Sequence, residues 1–113
     1  MENQEKPGIR LIFSYENKKC AIRVLDPKES IKFTMEKVKE EAREIPEKLW
    51  ILSEMDNGGN RIKYYFGRLT EDGKSEILKE KKNGEEQSLF DYGVKEGDNL
   101  IIIKRVIAGG SNE

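Results

Sequence analysis

The chain has 113 residues, enough for one domain with a single modest core. Charged residues make up 38% of it and hydrophobic residues 35%, so a large share must be solvated surface. The 21 basic and 22 acidic side chains are interleaved and nearly cancel, which argues against nucleic acid or an anionic membrane as a partner.

No apolar run approaches the roughly 18 residues of a membrane span, and the N-terminus shows no signal-peptide core. The single Cys20 cannot form an internal disulfide. An intracellular chain, cytoplasmic or nuclear, is therefore expected. The absence of histidine removes Ser-His and Cys-His nucleophiles and the usual general base, and with one cysteine it removes the common zinc ligand sets. The expectation is a non-enzyme without metal or cofactor.

Residues 1–8 are polar, carry Pro7 and read as a loose lead-in. Ile9 to Tyr15 alternates, with Ile9, Leu11 and Phe13 on one face. After the polar stretch Glu16 to Lys19, the run Cys20 to Leu25 alternates again and places Cys20, Ile22 and Val24 together. These two runs predict an antiparallel hairpin, with Cys20 as a small buried hydrophobe.

Pro27 stops the second strand, and Ser30 is a good helix N-cap, with Thr34 one turn later as an alternative. Ile31, Met35, Val38, Ala42 and Ile45 then recur at intervals of four and three, one stripe of an amphipathic helix whose charged residues face solvent. Ile45-Pro46 ends it. Leu49 to Met55, the turn Asp56 to Asn60, and Arg61 to Phe66 predict a second hairpin. Trp50 and Leu52 share a face of it, and Trp50 either contacts a partner or packs beneath the charged segment that follows.

Residues 67–87 read as a charged insertion with a turn at Thr70 to Gly73, a short edge strand near Glu76 to Lys79 and a solvated tip. Leu89 and Tyr92 anchor the turn before the last strand, Leu100 to Ile103, which is apolar on both faces. Gly109-Gly110 then leaves regular structure. One helix can cover one face of a small sheet, so these elements predict an α+β two-layer domain with the terminal strand beside the first, in parallel, at the sheet centre.

The residues resemble a family, ubiquitin and the ubiquitin-like β-grasp proteins. Ser88-Leu89-Phe90-Asp91-Tyr92-Gly93-Val94 is similar to the family's turn, Leu100 to Ile103 to its last strand, and Gly109-Gly110 to its terminal pair. Val24 to Ile31 resembles the strand-to-helix junction, and Phe66 to Gly73 a Gly-Lys-x-Leu-Glu-Asp-Gly turn. The resemblance spans roughly residues 9 to 110, mostly in order and spacing. It implies a mixed sheet of four to five strands with one amphipathic helix packed on one face. The expected organisation is a lead over 1–8, a domain over 9–108 and a Gly-Gly tail over 109–113. The segment between Pro46 and Leu89 is longer than the family norm. Either Leu49–Met55 or Arg61–Phe66 could be the third strand, and the short distance from Pro46 favours Leu49–Met55.

The resemblance implies two functions. A ubiquitin-like modifier would be conjugated through Gly110, with Gly109 beside it, after a protease removes Ser111-Asn112-Glu113. Ile107-Ala108 stands where ubiquitin has Leu-Arg. Its partners would be activating and conjugating enzymes. A non-conjugated ubiquitin-like domain would instead bind receptor proteins as a monomer through its exposed sheet face. Leu52, Ile101 and Ile103 would form the patch, with Trp50 as a further contact, while Leu100 and Ile102 face the helix.

Overall fold

The computed structural model describes residues 7–44 and 52–107, and within these the chain begins with a hairpin. Strand β1 (Ile9–Tyr15) pairs with β2 (Lys18–Val24) in an unbroken antiparallel register from Ile9↔Val24 to Tyr15↔Lys18. The turn is tighter than the expected four polar residues. Glu16 and Asn17 alone make it, at φ 51° and 67°. Two successive left-handed residues match the right-handed twist of the flanking strands, so β2 starts at Lys18. Leu11, Phe13, Tyr15, Ile22 and Val24 are buried, and Cys20, opposite Phe13, packs half-buried against them.

Ser30 caps α1 (Ile31–Glu44), the one α-helix among the described residues: its Oγ accepts the Phe33 N–H at 3.1 Å. Thr34, the alternative cap, lies inside the helix and donates its hydroxyl to the Ser30 carbonyl at 2.9 Å. The stripe Ile31, Met35, Val38 and Ala42 is buried as its period requires. Ile45, Pro46 and residues 49–51 lie outside the described residues.

The structure corrects the preference for Leu49–Met55 as the third strand: strand β3 (Arg61–Leu69) is third in chain order and pairs with the last strand. Between Leu52 and Asn60 the chain forms a turn, closed by Asp56 N–H to the Asn60 carbonyl at 2.9 Å, and Met55 makes only an isolated bridge to Arg61. The reason is side-chain supply. Arg61–Leu69 offers Ile62, Tyr64 and Phe66 at a spacing of two, all buried, whereas Met55 is 57% exposed.

Strand β4 (Ser75–Ile77) folds back on the end of β3 around Thr70 to Gly73, the edge strand expected there. Strands β5 (Lys81–Lys82) and β6 (Glu85–Glu86) form a small separate hairpin around Asn83-Gly84. The last strand, β7 (Asn99–Ile107), is longer than Leu100 to Ile103. It pairs in parallel with β1 through Ile12↔Asn99 to Ser14↔Ile101, and antiparallel with β3 from Gly67↔Ile101 to Arg61↔Ile107. The order β2-β1-β7-β3-β4 places β7 at the centre, which explains its apolar residues on both faces.

Helix α1 closes one face of this five-stranded sheet. Phe13, Phe66, Leu78, Leu89 and Leu100 are essentially inaccessible between the layers. The Phe13 and Phe66 rings meet at 5.5 Å, and Tyr15 and Tyr64 make an edge contact at 6.1 Å. Leu89 is carried in by a 3-10 turn, Phe90–Tyr92. That turn is held reciprocally. Asp91 Oδ2 accepts the Ser88 N–H at 2.9 Å, while Ser88 Oγ accepts the Asp91 N–H at 3.1 Å.

Candidate functional site

The helix leaves the other face of the sheet open. Alternation along β7 sends Leu100 and Ile102 into the core and turns Ile101 and Ile103 outward, both half-buried. On β3 the same rule turns out Lys63, Tyr65, Gly67 and Leu69. Register then assembles the face. Ile103 lies opposite Tyr65, Ile101 opposite Gly67, and Gly67 opposite Ile77 of β4. Ile12 of β1 projects to the same side, opposite Ala21 of β2.

Gly67 determines how closely this cluster packs. A Cβ there would come within 2.7 Å of Ile103 Cδ1 and 3.2 Å of the Glu76 carbonyl oxygen. Ile103 therefore lies across the Gly67 backbone and joins β7 to the β4 edge. Leu69, at the end of β3, is 66% exposed. Beside it a shallow depression is lined by Ser14, Lys19, Arg68, Asp98, Asn99 and Ile101.

The cross-strand charge pairs on this face are basic, with Asp98 at its rim. Lys63 and Arg105 stand opposite each other in the β3–β7 ladder and flank the Tyr65 ring at 5.5 and 5.8 Å. Arg10 and Arg23 stand opposite each other in the β1–β2 ladder, and Lys19 pairs with Ser14 between them and the turn. Lys63 meets Glu80 at 3.6 Å, and Arg23 Nη1 donates to the Pro7 carbonyl at 3.2 Å. Arg10, Lys19 and Arg105 have no ion-pair partner among the described residues.

Of the residues expected at a partner surface, Ile101 and Ile103 stand together on the open face. Leu52 does not join them: it packs against the core cluster. Trp50, Gly109 and Gly110 lie outside the described residues. Tyr65, Ile77 and Leu69 escaped the sequence reading, although the period of two in Arg61–Leu69 already placed two of them opposite the buried set. Perturbed ionisation lies on the buried side of the sheet and in turns. Burial raises Tyr64 and Tyr15 above the ordinary phenol value, and hydrogen bonds from Asn60 hold Asp56 below the ordinary carboxylate value. Among the described residues no His, Cys, Asp and Glu side chains cluster in a way that could hold a metal ion.

No family model matches the chain, and no curated protein sequence matches it. Solved structures do. The C-terminal ubiquitin-like domain of human 2'-5'-oligoadenylate synthetase-like protein aligns with 99% of this chain and 100% of its own, at a TM-score of 0.50 and 14% identity. The ubiquitin-like domain of Plasmodium falciparum Dsk2 aligns over 86% of this chain and 97% of its own, at a TM-score of 0.49 and 19% identity. A chain of the MycP5-free ESX-5 inner membrane complex aligns over 93% of this chain and 22% of its own, at a TM-score of 0.49 and 19% identity. Together with the sheet order and helix α1, the first of these defines the class: the fold is the ubiquitin-like β-grasp.

Proposed function

We propose that this chain is a ubiquitin-like domain that binds protein partners through the open face of its sheet. One observation carries the reading. Ile101 and Ile103 stand with Tyr65, Ile77 and Leu69 as one apolar surface on the side that α1 does not cover. Adjacent apolar side chains on a solvated sheet face mark contact sites, because their burial against a partner is the favourable term left unused by folding. The similar structure of the C-terminal ubiquitin-like domain of human 2'-5'-oligoadenylate synthetase-like protein is a domain of a larger protein, which fits a binding module.

The test compares proteins captured by the wild-type chain with those captured by an Ile103→Asp variant and a Tyr65→Ser variant, each checked for folding by circular dichroism. Partners lost from both folded variants support the reading. A partner set unchanged by either removes the sheet face as the binding surface. Mass spectrometry of the protein from cells examines conjugation. Lysine-linked remnants ending at Gly110 would establish the modifier role suggested by the resemblance to ubiquitin, whose glycine pair is Gly109 and Gly110 here.

A further inference from the structure

The chain carries the dipeptide Asn-Gly twice, at Asn57-Gly58 and at Asn83-Gly84, and both pairs are exposed. Such a pair can react within itself. Once the glycine amide loses its proton, its nitrogen can attack the asparagine Cγ, because glycine has no side chain to obstruct the approach. The fold gives the two pairs opposite surroundings.

Asn57 sits in a turn pinned on Asp56. The Asp56 carboxylate accepts the Gly58 N–H at 2.9 Å, the Asn60 N–H at 2.8 Å and the Asn60 side-chain amide at 3.2 Å. The Gly59 N–H donates to the Asp56 carbonyl at 3.1 Å, and the Asp56 N–H to the Asn60 carbonyl at 2.9 Å. A carboxylate seated on the hydrogen that must leave disfavours an anion at the Gly58 nitrogen, and the remaining bonds keep the turn closed.

Asn83 and Gly84 form the two-residue loop of the β5–β6 hairpin, at φ 54° and 82°. Neither the Gly84 N–H nor the Asn83 side chain has a hydrogen-bond partner among the described residues, and nothing lies within 4 Å of where a Gly84 Cβ would stand. The flanking charges balance. Lys81 faces Glu86, Lys82 faces Glu85, and Lys82 Nζ stands over the Tyr92 ring at 4.9 Å. The hairpin pairs with no strand of the five-stranded sheet, so its loop can open without disturbing the core. Asn17 tips the first hairpin in the same left-handed conformation, but Lys18 follows it, and a side chain there hinders the nitrogen.

We infer that Asn83-Gly84 is a site of spontaneous deamidation that changes the charge of the hairpin tip as the protein ages, and that the fold spares Asn57-Gly58. Hydroxide takes the Gly84 amide proton, and the nitrogen forms a bond to Asn83 Cγ. The Cγ–Nδ2 bond breaks and ammonia leaves, which closes a five-membered succinimide. Water then opens the ring. Cleavage at Cγ gives aspartate, and cleavage at the main-chain carbonyl gives isoaspartate. The net change is one water consumed, one ammonia released and one new carboxylate.

Either product adds an acid beside Glu85 and Glu86. Isoaspartate also lengthens the main chain by one carbon, which a two-residue loop cannot absorb, so the Lys82↔Glu85 pairing is lost. The change stops at the hairpin base. There the Gln87 N–H donates to the Glu80 carbonyl at 2.8 Å, and the Tyr92 hydroxyl to the Lys79 carbonyl at 3.0 Å.

The test ages the full chain at mildly alkaline pH and 37 °C, folded or in concentrated guanidinium chloride, and follows its peptides by mass spectrometry. A protein-isoaspartate methyltransferase with labelled S-adenosylmethionine marks the isoaspartate. In the folded chain the peptide holding Asn83 should convert about tenfold faster or more than the one holding Asn57, the effect of an adjacent charge on proton loss. In denaturant the two rates should converge. Asn83→Gln should abolish the faster reaction. Asp56→Asn, which still accepts the Gly58 N–H but carries no charge, should quicken Asn57 in the folded chain. Equal rates in the folded chain, a faster Asn57, or an Asn83 unchanged over weeks would overturn the inference. A difference that survives in denaturant would overturn it too, because neighbouring sequence rather than the fold would then set the rates. An Asn57 no faster after Asp56→Asn would overturn the part given to that carboxylate.

Discussion

Gly67 is where one missing atom shapes a surface. The Ile103 Cδ1 that a Cβ would meet at 2.7 Å is the end of a flexible side chain and can swing away, but the Glu76 carbonyl at 3.2 Å belongs to the β4 backbone. Gly67→Val is expected to destabilise the fold by about 1–3 kcal/mol, the usual range for overpacking, and Ile103→Ala in the same chain should recover part of it. Urea denaturation of the two single variants and the double reads this directly. Tyr64 sets a pH dependence. Its hydroxyl donates to the Ser53 carbonyl at 2.9 Å, and burial raises its pKa above the ordinary 10.0, as burial also does for Tyr15. The fold favours both phenols neutral. Their contribution is fully present below about pH 10 and is lost as pH climbs through the raised folded values. Tyr64→Phe should cost about 1 kcal/mol at neutral pH and flatten the alkaline loss, seen in denaturation midpoints taken from pH 8 to 11. Asp56 has the opposite sign. Its lowered pKa makes its contribution present above the ordinary 3.8 and lost as pH falls through the lowered value.

Two short devices at the scale of elements bring α1 and β7 into register. Ser30 caps the helix and also bridges to Ser88, while the Ile31 N–H donates to the Gln87 carbonyl at 2.8 Å. The helix start and the turn before the last strand are therefore one unit. Ser30→Ala is expected to cost about 1 kcal/mol, and Ser30→Gly less, since glycine is also tolerated at an N-cap. Asp91→Ala removes the acceptor for both the Ser88 N–H and its hydroxyl. Because Ser88 is buried, leaving that donor unmet should cost about 1–3 kcal/mol, more than the loss of an exposed turn. Chemical denaturation orders these three variants, and an Asp91→Ala chain as stable as wild type would contradict the role given to the Ser88–Asp91 pair.

In the whole molecule, stability is graded outward from β7. Leu100 and Ile102 sit at the sheet centre with β1 on one side and β3 on the other, under α1. Their amides should exchange with solvent most slowly, near the global unfolding rate, while those from Glu71 to Lys74 and in the β5–β6 hairpin should exchange orders of magnitude faster. Hydrogen exchange followed by NMR checks this, and fast exchange at Ile102 would contradict the central placement of β7. The same layout separates duties. One face of β7 closes the core, and the other carries Ile101 and Ile103 to the surface, so substitutions at odd and even positions of this strand should divide into binding and folding defects.

Local pattern was enough for much of this fold. The helix stripe from Ile31 to Ala42, the first hairpin, the Leu89 anchor and the doubly apolar centre of β7 could all be read in order, because period and capping act through near neighbours. Choosing Arg61–Leu69 over Leu49–Met55 as the third strand required tertiary structure. Both carry strand-like composition, and the core shows that Arg61–Leu69 supplies Ile62, Tyr64 and Phe66 as inward side chains. The site divides in the same way. Ile101 and Ile103 were legible from alternation, but their neighbours Tyr65 and Ile77 come from other strands. The basic pairs were invisible in a chain of balanced charge, because Arg10, Arg23, Lys63 and Arg105 are scattered along it. Strand register alone sets them opposite one another on a single face.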